Sequence, residues 1–442
     1  MQGFMRHSMN ELRSELDALC VPYSDDAKKR ELCALLLEAR GAEYRRKWYD
    51  SINVKVTILV AVIGAIYAFY DRHMAPSPRD LCIDAIAAAT CGLDEEQQKL
   101  YVRRHSYVEE IDAFLRRNVR EQPGYMVIIG PRGCGKSTLV LDALKGHKGV
   151  IVKRFGSESD TKQMFETLLS SFLTESFRVK EESEVQQLFL DVQRKHFPEN
   201  PTWRPTIVAE VDRGITDDVI VEVSKAMKRL GADLGAAHVI LVLSDANAAF
   251  SLPDDPTRQK ILWVEDLEEN EAHTLLDHYE FFERRMHGNG SLVDGDSNAA
   301  LRNRIFNNIG TRASELVAVV TEARSRNTEN EFGEVDNYID MRLEQAGRTV
   351  LRLSTLKSST LESSGVSFSR LLLDLLESND SRGVSEKVVD KYLVAPDEAA
   401  RIFKRYQAIL YHFPTGTYRF HSVAHRRAAE ELRDAGLLET NL

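Results

Sequence analysis

The chain has little cysteine. Cys20, Cys33, Cys82, Cys91 and Cys134 are its five among 442 residues. They form no CxxC pair, and no histidines cluster beside them. That argues against a disulfide framework and against a zinc site, and it fits a reducing compartment. An excess of positive charge is missing too. The 58 Lys and Arg are outnumbered by 68 Asp and Glu, for a formal net charge of -10. Such a balance argues against a surface devoted to coating nucleic acid, while leaving room for a local basic patch. No secretory leader is read at the start, because Met1 to Arg40 carries acids throughout and has no apolar core near its beginning. What is present is ordinary globular material, 43% hydrophobic and 29% charged. The length argues for two or three domains, each with a sizeable core.

Met9 to Arg40 reads as two short helices. MNELRSELDAL puts Leu12, Leu16 and Leu19 at helical spacing, CVPYSDD turns the chain, and KKRELCALLLEAR follows. Leu12, Glu15, Leu16, Val21, Lys29, Glu31 and Leu32 match the pattern of the SAP helix hairpin, which residues 1–41 resemble. Many SAP modules bind DNA. Acids and bases are balanced here, which also suits a small helical interaction module.

From Val56 to Tyr70 there is no charge. The run is about 15 residues, against the roughly 20 of a bilayer span. Lys55 can snorkel, Tyr67 and Tyr70 suit an interface, and the run is apolar on all sides. Residues 54–72 are therefore expected to form one transmembrane helix, with the membrane as a partner. Ala61/Ala65 and Gly64/Ala68 are small-residue pairs that can pack helices together, so a homo-oligomer is left open. Residues 73–100 read as a linker with Pro76, Pro78 and an apolar patch, DLCIDAIAAATCGL, for which a short helix is left open.

YMVII, Tyr125 to Ile129, reads as a strand; GPRGCGKS follows, and then TLVLDALKG, a helix stopped by Gly146. Gly130-x4-Gly135-Lys136-Ser137 is a full Walker A pattern in strand–loop–helix context. Its glycines let backbone N–H groups approach phosphate, and the helix N-terminus adds its dipole. Gly130, Pro131, Arg132, Gly133, Cys134, Gly135, Lys136, Ser137 and Thr138 are the expected ATP-binding loop. Lys136 is expected on the β- and γ-phosphates and Ser137 on Mg²⁺. PTIVAEVDRG supplies an acidic strand, in which Glu210 and Asp212 share a face. Asp212 is expected to complete the magnesium site. His238 to Phe250 gives another buried run ending in polar residues, and GVIVKR and ILWVE give two more strands. Strands alternating with helices predict a parallel sheet.

The order YVRRHSYVEEIDAFLRR, GPRGCGKST, PTIVAEVDR, VILVLSDA, WVEDLEENEA resembles the archaeal-ATPase and STAND branch of AAA+-like P-loop NTPases. The resemblance covers roughly residues 100 to 430. It implies that Ser244 senses the γ-phosphate, with Asp245 or Asn247 behind it. It also implies that a water-activating Glu should follow Asp212. Arg213 stands there instead, so either Glu210 is the base, or hydrolysis is slow, or nucleotide acts as a switch. NNIGTRASELVAVV resembles the family's lid turn, which makes Arg312 a sensor-2-like candidate; Arg258 is the alternative arginine. Phe368 to Leu442 reads as three helices, a hairpin AILYHF-PTG-TYRFHS and a last helix, a winged-helix pattern.

The expected fold class is an α/β P-loop NTPase, a parallel sheet flanked by helices over 101–265. It is followed by a helical lid over 266–350 and a winged-helix-like domain over 366–435. The expected function is a membrane-anchored ATPase, with Lys136, Glu210 and Asp212 catalytic and ATP and Mg²⁺ as cofactors. Arg45, Arg46, Lys47 and Lys55 precede the span and keep the N-terminus on the cytoplasmic or matrix side. ATP on the far side then points to the mitochondrial inner membrane. Two alternatives stand beside this reading. One is a nucleic-acid tether built on the hairpin and winged helix; the other is a scaffold that binds nucleotide without turnover.

Overall fold

The computed structural model describes residues 8–22, 24–42, 56, 57, 59–64, 76–117, 124–156, 163–212, 216–252, 258–279, 295–325, 331–356, 368–378, 383–389 and 396–438. The chain divides into two compact units, Met1–Ser77 and Pro78–Leu442.

The first unit holds a helix at Met9–Ala18 and helical residues 29–42. Ser8 opens the first helix with a capping box: Glu11 N donates to its Oγ at 3.3 Å, and Glu11 Oε2 accepts from Ser8 N at 2.6 Å. These bonds satisfy backbone donors that a helix start leaves over. Leu12 and Leu16 lie one turn apart and pack, fully buried, on Leu32, Cys33 and Leu36. Arg40 closes the pair on Glu15 at 2.7 Å.

The expected transmembrane helix over 54–72 is overturned. No helix among the described residues is long and apolar enough to cross a membrane. Residues 56, 57 and 59–64 are helical; 54, 55, 58 and 65–72 lie outside the described residues. An uncharged run of about 15 residues falls short of the roughly 20 that a span requires. The single-pass anchor, the membrane as a partner and the mitochondrial inner membrane as a location fall with it.

The second unit is built on a five-stranded parallel sheet: β1 (Tyr125–Ile129), β2 (Val150–Phe155), β3 (Thr206–Val211), β4 (His238–Leu243) and β5 (Lys260–Trp263). Their order is β2-β3-β4-β1-β5. β1 is apolar along its whole length because neighbours and helices bury both its faces, as parallel sheets demand. Within the stretch read as a linker, residues 78–88 form a helix, Pro78–Ala88, whose Cys82, Ile83, Ile86 and Ala87 enter the sheet's core. Its polar side is tied to the helix Glu182–His196 by Arg79–Asp191 and Lys195–Asp84, each 2.6 Å.

Helices Glu269–His278, Gly295–Asn308, Ala313–Ser325 and Glu331–Ser354 follow the sheet. Beyond them β6 (Val384–Ser385), β7 (Ile409–His412) and β8 (Thr417–Phe420) form an antiparallel sheet in the order β6-β8-β7. Helices Phe368–Glu377, Pro396–Tyr406 and Val423–Asp434 accompany it. Phe403, Ile409 and Tyr418 meet Leu371, Leu372 and Leu375 in a separate core. β6 is too short to show an alternation in the sequence.

Asn247 docks this C-terminal subdomain onto the parallel sheet. It is fully buried. Its Nδ2 donates to Ile409 O at 3.1 Å, and its Oδ1 accepts from Tyr411 N at 3.2 Å. One side-chain amide thus satisfies an edge of β7 as a neighbouring strand would. Gln407 Nε2 donates to Asp245 Oδ2 at 3.2 Å, and Phe250 packs on Tyr411 with ring centroids 4.9 Å apart. Asn247→Ala strands a buried donor and acceptor on β7, so it should cost about 2 to 4 kcal/mol of stability. Urea unfolding checks this; an unchanged midpoint would show that the apolar contacts suffice.

Candidate nucleotide-binding site

The loop between β1 and the helix Lys136–Ala143 is shaped by what touches it. A Cβ on Gly130 would stand 2.1 Å from Val264 O, because Val264 N bonds to Ile129 O at 2.8 Å and draws the two segments together. Gly133 has φ +81, and a Cβ there would stand 1.9 Å from Ser314 Oγ. Ser314 N donates to Gly133 O at 3.0 Å. The start of the helix Ala313–Ser325 therefore rests directly on the loop.

Lys136 is buried, and its ammonium donates to Gly130 O at 2.9 Å, Pro131 O at 2.8 Å and Ser244 O at 3.4 Å. Burial pushes its pKa down, with Arg312 adding to the effect and Cys134, Asp245 and Asp266 opposing it. Pro131 and Cys134 are buried, Arg132 is exposed, and Gly133, Gly135, Ser137 and Thr138 lie between. Ser244 reaches the lysine through its backbone carbonyl.

Arg312 is at the site and is 3% exposed. It grips Asp266 with Nε to Oδ1 at 2.8 Å and Nη2 to Oδ2 at 3.0 Å. It also meets the C-terminal subdomain: Nη1 donates to His421 Nδ1 at 3.2 Å and Nη2 to His421 O at 2.5 Å. Arg258 is elsewhere, paired with Asp233 at 2.7 Å.

Glu210 and Asp212 point to one side, and Arg154 of the neighbouring strand holds both. Arg154 Nη2 lies 3.2 Å from Glu210 Oε2 and its Nε 3.4 Å from Asp212 Oδ1. The Asp212 side chain is 45% exposed and that of Glu210 12%. β4 separates this pair from β1. Arg213 lies outside the described residues.

Several residues here escape a reading of the sequence. Arg104 is buried and donates to Glu265 O at 2.9 Å and Asp266 O at 3.1 Å, which fixes the segment that carries Arg312's partner. His421 and His425 come from the far end of the chain; the only local signal is a histidine pair four residues apart where a helix begins. A cavity of about 220 Å³ opens beside Gly135 and Thr138, walled by Tyr101, Val102, Leu275 and Val317. Its walls are mostly apolar, as a flat heterocyclic base requires, and nothing in its sequence is motif-like. Backbone amides, a lysine, a hydroxyl and a carboxylate are the group types that a magnesium-bound triphosphate takes.

A scan against models of known families finds no match, and no curated protein matches the sequence. Solved structures do match. Drosophila ORC bound to DNA aligns over 81% of this chain and 99% of its own, at 13% identity and a TM-score of 0.39. The ORC1 protein of Aeropyrum pernix in complex with DNA aligns over 78% and 97%, at 13% identity and 0.34. A STAND protein of Pyrococcus horikoshii with a tetratricopeptide repeat sensor aligns over 79% of this chain but 44% of its own, at 14% identity and 0.32. The parallel sheet order and the Walker A loop after β1, rather than these likenesses, define the fold, a P-loop α/β fold.

The histidines make acid a test of the contact. Burial, then Arg312 and Arg342, pushes His425 from 6.5 to about 4. Burial, then Arg312, His425, Lys136 and Arg132, holds His421 well below its ordinary value. Between pH 6.5 and about 4 the unfolded chain binds protons at His425 that the folded chain refuses. Stability is thus full above pH 6.5 and is lost as pH falls toward 4, by roughly 3 kcal/mol for one such histidine. Urea midpoints at pH 7 and 4.5 should show the loss, and His425→Gln should flatten it.

Proposed function

We propose that this protein binds ATP–Mg²⁺ at its Walker loop and uses nucleotide state to hold or release its C-terminal subdomain. The observation that carries this is Arg312, a single buried cation shared by the lid turn, the end of the sheet and β8's terminal histidine. Phosphate arriving beside Lys136 competes for the same positive charge. Whatever it gains from Arg312 it takes from Asp266 or His421, and the C-terminal subdomain feels the change.

In this reading the backbone of Gly130 to Thr138 cradles the phosphates, and Lys136 exchanges loop carbonyls for phosphate oxygens. Ser137 and Asp212 would hold magnesium, whose chemistry is to neutralise the phosphate charge. The apolar cavity walled by Tyr101 and Leu275 takes the base. Glu210 orients water, and Arg154 holds it and Asp212 side by side. Ser244 sits where β4 meets the lysine and relays strain into Asp245 and Asn247. Lys404, on the helix that would read DNA in a winged helix, pairs with Asp217 of the ATPase domain, which suits docking rather than nucleic-acid reading.

The test is ATP binding and turnover by the full chain. Lys136→Ala should weaken ATP binding about a hundredfold, as loss of a buried charge contact does; affinity like the wild type's would remove the lysine from the site. Glu210→Gln should keep ATP binding and slow turnover about a hundredfold or more, the usual worth of a general base. Unchanged turnover in that variant would reject Glu210 as base. Tight binding without turnover in the wild type would leave a nucleotide switch that does not hydrolyse.

A further inference from the structure

The sheet is parallel, so its two edges differ. The Walker loop leaves the C-terminal end of β1. At the other edge β2, β3 and β4 begin at Val150, Thr206 and His238. Strands of this length put the two edges about 20 Å apart.

A cavity of about 260 Å³ lies at that N-terminal edge. Arg116, Arg117, His147, Lys148, Arg204 and His238 line it, and among the described residues none of its lining is acidic. In a chain of net charge -10 such a wall is a strong local departure. We propose that this basin is a second anion site, which takes a small phosphate-bearing ligand.

Two of the six side chains are built in rather than left on the surface. Arg204 is 8% exposed and is held by the carbonyls of Gly235, Pro201 and Trp203 at 3.0, 3.1 and 2.6 Å. His238 is 6% exposed, and its Nδ1 is buried with no hydrogen-bond partner. A buried polar atom without a partner calls for an explanation, and a ligand oxygen supplies one. Burial, then Arg204 and His147, pushes this imidazole down to about 4, so at neutral pH it is uncharged and meets a ligand as a hydrogen-bonding group.

The rim has a simpler account that does not reach the floor. Arg116 and Arg117 end the helix His105–Leu115, where cations answer the helix dipole. That account asks only for exposed charge within the last turn. It says nothing of Arg204, which sits on a loop, or of His238, which starts a strand. Asp112 lies 3.9 Å from both Arg116 and His147 and offsets part of the rim charge from outside the basin. One wall is Trp203, stacked on Phe197 with centroids 3.9 Å apart, which leaves a rigid face beside the cations. Rigid cations around a neutral imidazole suit a compact phosphate, whose oxygens accept several charge-assisted bonds at once.

The experiment is calorimetric titration of pyrophosphate into the full chain carrying Lys136→Ala, which disables the Walker loop. One binding event should remain. Adding Arg117→Ala and Lys148→Ala, both exposed and harmless to folding, should weaken it at least about tenfold, the worth of one charge-assisted hydrogen bond. The same two changes with Lys136 intact should leave ATP affinity as it was. Imidazole nitrogen NMR should show His238 Nδ1 shifting on pyrophosphate addition. No binding beyond a chloride-matched control, or binding indifferent to the two changes, overturns the proposal. So does a DNA oligonucleotide that needs Arg117 and Lys148 where pyrophosphate does not bind, which would make the basin a nucleic-acid contact. The result does not depend on whether the Walker loop hydrolyses ATP.

Discussion

A guanidinium nearly out of reach of water must be matched by partners, or it costs several kcal/mol. Arg312 meets that demand with two distant pieces of chain. Asp266 supplies a bidentate carboxylate from the end of β5, and His421 supplies a ring nitrogen and a carbonyl from the C-terminal subdomain. Two residues on, Ser314 lies against Gly133 of the Walker loop. Placing one charge therefore fixes the turn before the helix Ala313–Ser325, the segment after β5 and the C-terminal subdomain together. Arg104 extends the constraint backwards by anchoring the carbonyls of Glu265 and Asp266.

The two halves of the site work in different electrostatic settings. Around Lys136 the medium is protein; backbone carbonyls and buried charges decide what the ammonium does. Around Asp212 the medium is largely water, and Arg154 is 64% exposed. Surface pairs of that kind contribute little to stability. Their use is to hold two carboxylates parallel on one strand while leaving them free to change partners. The rigid half recognises, and the wet half can rearrange.

Local features were legible in the sequence and distant ones were not. The Walker loop declares itself because its glycines, lysine and serine act within eight residues, between a strand and a helix. The hairpin of the first unit shows in the spacing of Leu12 and Leu16 against Leu32 and Leu36. The run at 56–70 misled because hydropathy was read without enough length behind it. The patch that forms the helix Pro78–Ala88 was visible, but its place in the sheet's core was not, because its partner is the helix Glu182–His196, a hundred residues on. Asn247 and His421 carry no signal of their own: Asn247 meets β7, and His421 meets Arg312, only after more than a hundred residues have folded.

The seam between the C-terminal subdomain and the sheet is mainly polar. Asn247 meets backbone, Asp245 meets Gln407, Glu265 meets His412 and Asp217 meets Lys404, while Phe250 on Tyr411 and Leu410 within the sheet's own core are apolar. Water can take up nearly every one of those bonds. Parting the seam would therefore trade most of its bonds for bonds to water, and the uncovering of Leu410 and Phe250 is the part of the cost that draws it shut again.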